Sequence, residues 1–363
     1  MPSPIVPPPL QPGQTIAFVS PSARVNTTFP AALERAKALF TSQGYHVREL
    51  FTKDTGIQSS IANRLAELRT ALTDPTISAV VCTAGGTSFT ELLPALLADA
   101  DLHAAVRARP KVVVGWSDIT GLHWLLHATA GLRTFYGPCA LPALGEPAAQ
   151  DEAEHDGSAL AFCLRHLLRA VTDPAPLGGV ARSPTYAPDP PAILADPASL
   201  ARPRLAPSGG WAWLRPGRAQ GRLFGGCLSV MARLGGVRGI APDWRGRIVF
   251  FETALGEDDA SGPALDRVRA GLADLIAQGV FDDAAGVVVG RPFGYDSPAA
   301  RARYAGVITA LLCEGRLAGR EFPILFNVDI GHTTPMVTLP FDALAVLDSE
   351  RDQFSILDSA LQA

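Results

Sequence analysis

The chain has no Cys-x-x-Cys pair, no block of basic residues, no apolar run long enough to span a bilayer and no Gly-x-Gly-x-x-Gly after its first strand-like run. Each absence removes a class. Five cysteines (Cys82, Cys139, Cys163, Cys227, Cys313) are odd in number and widely spaced, which argues against a disulfide framework or a zinc knuckle. A formal charge of −4 with scattered arginines leaves no electrostatic footprint for nucleic acid. The proline-rich start, Met1 to Gly13, lacks the charged head and apolar core of a signal peptide, and no segment reaches spanning length, so a cytoplasmic protein with no membrane partner is expected. Val19-Ser20-Pro21-Ser22-Ala23 stands where a dinucleotide-binding fold would place its glycines, which weakens the alternative of a Rossmann-type oxidoreductase.

What is present is an alternation. Thr15 to Val19, His46 to Phe51, Ile77 to Cys82, Val112 to Val114 and Arg133 to Tyr136 have strand character, and Pro30 to Gln43, Ile61 to Leu72, Phe89 to Leu97 and Ile119 to Ala130 have helical spacing between them. Such βαβ units predict an α/β fold whose N-terminal part is a doubly wound parallel sheet, flavodoxin- or Rossmann-like, over residues 13–141. Residues 142–208 are rich in proline and predict a linker with one helix, Ser158 to Val171. Residues 209–363 predict a second, C-terminal α+β domain rich in β, with strands at Arg247 to Phe251, Gly286 to Val289, Ile324 to Asn327 and Ala343 to Leu347 and helices at Asp266 to Gln278 and Arg301 to Leu312.

Ligands of open α/β sheets bind outside the carboxyl ends of the strands. Gly85-Gly86 lies at one such end and Gly115-Trp116-Ser117-Asp118 at the next. A serine on a sharp strand-to-helix turn is exposed and close to the positive end of a helix dipole, as a nucleophile requires. The alternative is that Ser117 or Asp118 merely caps the helix. A serine nucleophile also needs a base and a group to hold that base. His332, in Gly331-His332-Thr333-Thr334-Pro335, directly follows a buried strand and is the candidate base. Glu252, ending the apolar run Ile248 to Phe251, is the candidate orienter, with an exposed strand-end acid as the alternative. Gly-x-Ser-x-Gly is absent because Ile119 replaces its last glycine, so an α/β-hydrolase is disfavoured. His123 and His127 are four apart on one helix, but Trp-Leu-Leu fills the gap where a zinc peptidase carries glutamate, and both read as structural.

The turn Gly115-Trp116-Ser117-Asp118-Ile119-Thr120, with Gly85-Gly86 before it and Gly137-Pro138 after it, resembles the nucleophile turn of the LD-carboxypeptidase family of serine peptidases, which includes the microcin-immunity peptidases. The second half is similar in order: Gly221-Arg222-Leu223-Phe224-Gly225-Gly226-Cys227-Leu228, Val249-Phe250-Phe251-Glu252, Asp266-Arg267, Gly286 to Gly290, and Gly331 to Pro335. The resemblance runs from about Gly13 to about Asp348. It implies a Ser117–His332–Glu252 triad, an oxyanion hole from the backbone N–H of Asp118 and the Gly85-Gly86 turn, no metal or other cofactor, and a homodimer. Cys227 stands where the family usually has asparagine and Thr253 where it has an acid, and the proline-rich segment is long. These departures bear on substrate choice and keep open a non-catalytic binding protein of the same fold.

The two branches imply two substrates, an LD-peptide of murein or an aminoacyl-nucleotide conjugate. A free carboxylate calls for a cationic or N–H-rich subsite and an adenine for an aromatic face. Arg215, Arg218 and Arg222, with Trp211 and Trp213 before them, supply residue types for either. Trp211 and Trp213 read as anchors of the second domain. The order of Glu252, a long amphipathic helix, Gly279 to Phe281 and His332 to Met336 is closer to the microcin-immunity branch.

Overall fold

Five strand runs separated by helices, three of them rich in β-branched residues, build the N-terminal sheet of the computed structural model, in which residues 4–150, 157–258 and 260–363 are described. The strands are β1 (Thr15–Val19), β2 (His46–Leu50), β3 (Ile77–Cys82), β4 (Val112–Gly115) and β5 (Phe135–Tyr136). They pair in parallel in the order β2-β1-β3-β4-β5, the doubly wound arrangement in which the chain reverses direction between β1 and β3. Pro30 opens the helix Pro30–Ser42 at a position where its missing N–H costs nothing. Gly131, at φ 68°, closes the helix Thr120–Ala130 in the left-handed conformation.

Two details depart from the sequence expectations. The helix expected over Phe89 to Leu97 begins as a 3-10 turn (Phe89–Leu92) and continues as Leu93–Ala98. Asp99 then ends that helix by capping a further one, Ala100–Ala108, its carboxylate accepting from Leu102 N–H at 2.9 Å. The residues Ser117–Ile119 likewise form a 3-10 turn ahead of the α-helix.

Residues 178–215 carry four short strands, β6 (Gly178–Gly179), β7 (Thr185–Tyr186), β8 (Ala206–Pro207) and β9 (Ala212–Arg215). The second half adds β10 (Arg218–Cys227), β11 (Arg247–Glu252), β12 (Gly286–Gly290), β13 (Ile324–Val328), β14 (Leu339–Pro340), β15 (Leu344–Asp348) and β16 (Gln353–Ile356). Eight of these form one mixed sheet, β6-β16-β15-β10-β11-β12-β13-β9, in which β10, β11, β12 and β13 run parallel. The helices Leu228–Leu234, Leu265–Ala277 and Pro298–Leu312 lie in the connections between those four. β14 leaves this half and pairs antiparallel with β5, completing a sixth place in the N-terminal sheet. The segment between the sheets is also packed: the helix Ala159–Thr172 buries Cys163, Leu167 and Val171 in the core that contains Val112 and Phe135.

The two sheets meet where the helix Thr120–Ala130 crosses the end of β10. Buried Trp124 donates through Nε1 to Gly225 O (2.8 Å), and Cys227 N–H donates to Thr120 Oγ1 (3.0 Å). A Cβ on Gly226 would stand 2.3 Å from Thr120 Cγ2, and one on Gly225 would stand 1.7 Å from Phe250 O. Gly226 is therefore required for this contact, and Gly225 for the close pairing of β10 with β11 beneath it. The carboxyl ends of the parallel strands of both sheets face one crevice as a result. Among the described residues no helix is long and apolar enough to cross a membrane.

Candidate active site

Ser117 lies two residues past the end of β4, after Trp116, with φ 60°, a left-handed conformation that a non-glycine residue adopts only when its surroundings enforce it. Three contacts enforce it here. The Ser117 N–H donates to the Tyr136 hydroxyl at 3.1 Å, Thr120 Oγ1 donates to Ser117 O at 2.7 Å, and Gly85 packs so closely that a Cβ there would lie 2.7 Å from Ser117 Cβ. The same hypothetical Cβ would lie 3.5 Å from Asp118 N, so the Gly85-Gly86 turn and the start of the helix stand against each other across the serine.

His332 arrives from the second sheet. The loop after β13 is anchored by the buried ion pair Arg291–Asp329 and by Val337 N–H donating to Asp329 O at 2.8 Å. Gly331, at φ 80°, lets the loop press onto Glu252: a Cβ there would lie 2.1 Å from Glu252 Cγ. His332 Nε2 is 3.3 Å from Ser117 Oγ, and His332 Nδ1 is 2.6 Å from Glu252 Oε2. Because an ionised carboxylate only accepts, Nδ1 carries the proton and Nε2 is left to accept from the serine. The Trp116 indole and the imidazole meet edge to face, with centroids 4.3 Å apart.

Glu252 is fully buried at the end of β11, and both its oxygens are satisfied. Oε2 also accepts from His332 N–H at 3.2 Å, and Oε1 accepts from the Tyr136 hydroxyl at 2.5 Å. Burial by itself pushes this carboxyl up, but the adjacent imidazole and the hydrogen bonds from His332 and Tyr136 outweigh it and hold the group below its ordinary value. Tyr136 is the member that sequence reasoning missed. It lies at the end of β5, where an aromatic residue reads as core, and only its position between Ser117 N–H and Glu252 shows what its hydroxyl does.

The Asp118 side chain is committed to other partners than Ser117 and His332. It is completely buried and accepts from Ser22 Oγ (2.5 Å) and Phe89 N–H (2.8 Å), while Arg233 of the helix Leu228–Leu234 pairs with its other oxygen. The helix-cap alternative thus takes another form: the carboxylate ties the turns after β1, β3 and β4 to the second half of the chain.

Cys227 is buried beside the Glu252–His332 pair, with one potential ligand atom of each residue within 4.8 Å of the others. Burial and the nearby Glu252 charge raise its thiol far above the usual range, so with no metal ion beside it the sulfur stays protonated. Thr253 accepts from the Tyr304 hydroxyl at 3.1 Å. His123 spends both ring nitrogens inside the fold, on Thr134 Oγ1 (2.8 Å) and Gly115 O (2.9 Å), and burial lowers its pKa to about 4. It is a structural, neutral histidine. His127 packs its ring against Phe224.

The residues expected to supply an anion subsite lie elsewhere. Arg222 is five residues upstream of Cys227 along β10, roughly 16 Å from the strand's carboxyl end at ~3.3 Å per residue, and it donates to Asp342 O at 2.6 Å. Arg215 donates to Phe322 O (2.6 Å), and Arg218 approaches Asp348 at 3.7 Å. Trp211 stacks under the Arg182 guanidinium at 3.9 Å and Trp213 Nε1 donates to Asp352 at 2.8 Å. Proximity in sequence to Gly225-Gly226 was misleading because an extended strand separates neighbours quickly. At the turn after β1, the Ser20 hydroxyl is buried against Thr83 and donates to Asn26 Oδ1 at 2.6 Å. Side chains therefore fill the place where a dinucleotide pyrophosphate needs bare backbone.

In front of Ser117 and His332 lies a cavity of about 270 Å³. Its walls come from the turns after β3 and β4, from residues 187–194 of the intervening segment, and from Leu255, Phe293 and Met336 of the second half.

The geometry agrees with what the chain is similar to. The profile of the LD-carboxypeptidase N-terminal domain matches residues 16–137, and that of the LD-carboxypeptidase C-terminal domain matches residues 220–347. The Microcin C7 self-immunity protein MccF of Escherichia coli is 27% identical over 361 residues, covering 99% of this chain and 97% of its own. The "Probable murein peptide carboxypeptidase" of Bacillus subtilis (strain 168) is 25% identical over 347 residues, covering 94% and 90%. The solved structure of MccF in complex with aspartyl sulfamoyl adenosine superposes with a TM-score of 0.83 at 26% identity, covering 99% of this chain and 100% of that one. A glutamyl sulfamoyl guanosine complex of MccF gives the same TM-score at 25% identity, with the same coverage. Two profiles in order, one on each of the two sheets, with a serine turn on the first and a histidine loop on the second, make this chain a member of the LD-carboxypeptidase family of peptidases.

Proposed function

We propose that the chain is a serine peptidase or amidohydrolase acting on an aminoacyl-nucleotide conjugate, as the microcin-immunity relatives suggest. The observation that carries the reading is the continuous relay from Ser117 Oγ to His332 Nε2 (3.3 Å) and from His332 Nδ1 to Glu252 Oε2 (2.6 Å). Ser117 Oγ attacks the acyl carbonyl while His332 Nε2 takes its proton, and Glu252 stabilises the imidazolium that results. The developing oxyanion is received by the N–H groups of Asp118 and of the Gly85-Gly86 turn. The imidazolium returns its proton to the leaving nitrogen, and a water activated by the same imidazole releases the acyl group. Tyr136 keeps Glu252 ionised and the serine turn in register. The homodimer implied by the resemblance and the cytoplasmic location expected from the sequence belong to this reading, and light scattering of the purified protein tests the dimer.

The murein branch is the second reading, since one similar relative carries a murein peptidase name. A paired assay separates them: release of D-alanine from a murein tetrapeptide against cleavage of a water-stable aminoacyl-sulfamoyl adenosine. We expect cleavage of the conjugate, unaffected by a chelator, and a fall of at least about 10³-fold in Ser117→Ala with the fold intact. Undiminished turnover in Ser117→Ala refutes the mechanism, and D-alanine release with no action on the conjugate refutes the substrate.

A further inference from the structure

We propose that the acyl pocket of this chain selects neutral, apolar aminoacyl groups and turns away acidic ones, in contrast to the aspartyl and glutamyl conjugates present in the two MccF complexes. The inference rests on the proposed hydrolase site and names its substrate class. A carboxylate entering a small cavity loses most of its hydration and must recover it from a cation or from several converging N–H donors. The cavity in front of Ser117 and His332 offers no such cation among the described residues. Its walls are made chiefly by Trp116, Leu141, Leu194, Leu255, Phe293 and Met336. The one formally charged side chain that lines it, histidine aside, is Asp189, an acid in an exposed ion pair with Arg204 at 2.9 Å.

Nearby arginines are committed. Arg233 pairs with buried Asp118, Arg291 with buried Asp329, and Arg24 with Glu67 and Asp54. Swinging any of them toward a ligand would strand the acid it neutralises, at a cost that a single new ion pair does not recover. Lysine occurs only at positions 37, 53 and 111. None of these lines the cavity, and Lys37 and Lys111 are held by Glu49 and by Ala71 O. Residues 1–3, 151–156 and 259 contain neither lysine nor arginine. An acidic acyl group would thus meet mostly apolar carbon, the exposed Asp189–Arg204 pair and two neutral donors, the Trp116 indole N–H and the Thr333 hydroxyl, with no cation among the described residues on the cavity wall, whereas a leucyl or phenylalanyl group would exchange water for Leu255, Phe293 and Met336.

The test uses leucyl-, phenylalanyl- and aspartyl-sulfamoyl adenosine on the full-length protein. Affinities are measured by calorimetry with Ser117→Ala, which reads the pocket without turnover, and hydrolysis is measured separately with the wild type. We expect the neutral conjugates to bind at least about tenfold more tightly than the aspartyl one. We also expect Leu255→Arg, which places a cation on a half-buried wall shared with the neighbouring groove, to narrow or reverse that ratio. Aspartyl binding equal to or tighter than neutral binding overturns the proposal, as does failure of every conjugate to bind. Correctly ordered binding with no Ser117-dependent hydrolysis would leave the selectivity standing and sink the hydrolase reading instead.

Discussion

The two walls of the crevice are built on opposite principles. On the wall that holds Ser117, Glu252 and His332, every charge is buried with a partner: Glu252 accepts from His332 and Tyr136, and Asp118 from Ser22, Phe89 and Arg233. On the opposite side of the cavity, apolar side chains predominate and the single lining carboxylate among the described residues, Asp189, is exposed in an ion pair with Arg204. Groups that move protons must be held to within fractions of an ångström, which redundant hydrogen bonds in a dry setting achieve. Groups that choose an acyl chain need only shape and the absence of the wrong charge, so they can be exchanged without disturbing the chemistry.

The comparison is broken most severely by removing a charge from the paired wall. Arg233→Met leaves the Asp118 carboxylate completely buried with only two neutral donors, and we expect a loss of about 3–5 kcal/mol in urea denaturation together with reduced turnover. A change below about 1 kcal/mol would mean that the pair does not tie the halves together.

A smaller effect comes from the neutral histidine under the same wall. His123 binds its proton near pH 6.5 in the unfolded chain but only near 4 in the fold. Between those values the unfolded state holds more protons, so stability falls as the pH is lowered from 6.5 toward 4 and is fully present above that range. The contribution at stake is about 3 kcal/mol. Burial lowers the pKa of His127 as well, so it steepens the same slope. His123→Gln is expected to flatten it by close to one proton, and an unchanged slope in pH-dependent denaturation would refute the assignment.

The mildest change sharpens the comparison. Tyr136→Phe leaves Glu252 Oε1 and the Ser117 N–H buried without their partner, which should cost about 1–3 kcal/mol of stability. If the tyrosine positions the triad, kcat falls about tenfold with KM nearly constant, because acyl binding belongs to the other wall. A change in KM alone would assign the tyrosine to the substrate wall.

Local physics alone makes much of this molecule legible. The run Val112 to Val114 ending on Gly-Trp-Ser-Asp identifies a buried strand followed by a turn, and the apolar run before Asp329 identifies another, because side-chain period and turn chemistry act over a few residues. Ser117, Glu252 and His332 could be singled out in that way as strand-end polar residues. β10 escaped notice because Gly221, Gly225 and Gly226 interrupt its alternation, and the helix Leu228–Leu234 is too short to show a period. Only the tertiary structure decides that β14 completes the other half's sheet, that Tyr136 bridges serine and glutamate, that Arg233 neutralises Asp118, and that Arg222 lies far from the crevice while an apolar wall faces the serine. These are pairings between residues up to some two hundred positions apart. They are selected when two sheets dock and each buried charge must find a partner, a condition that no local stretch of sequence contains.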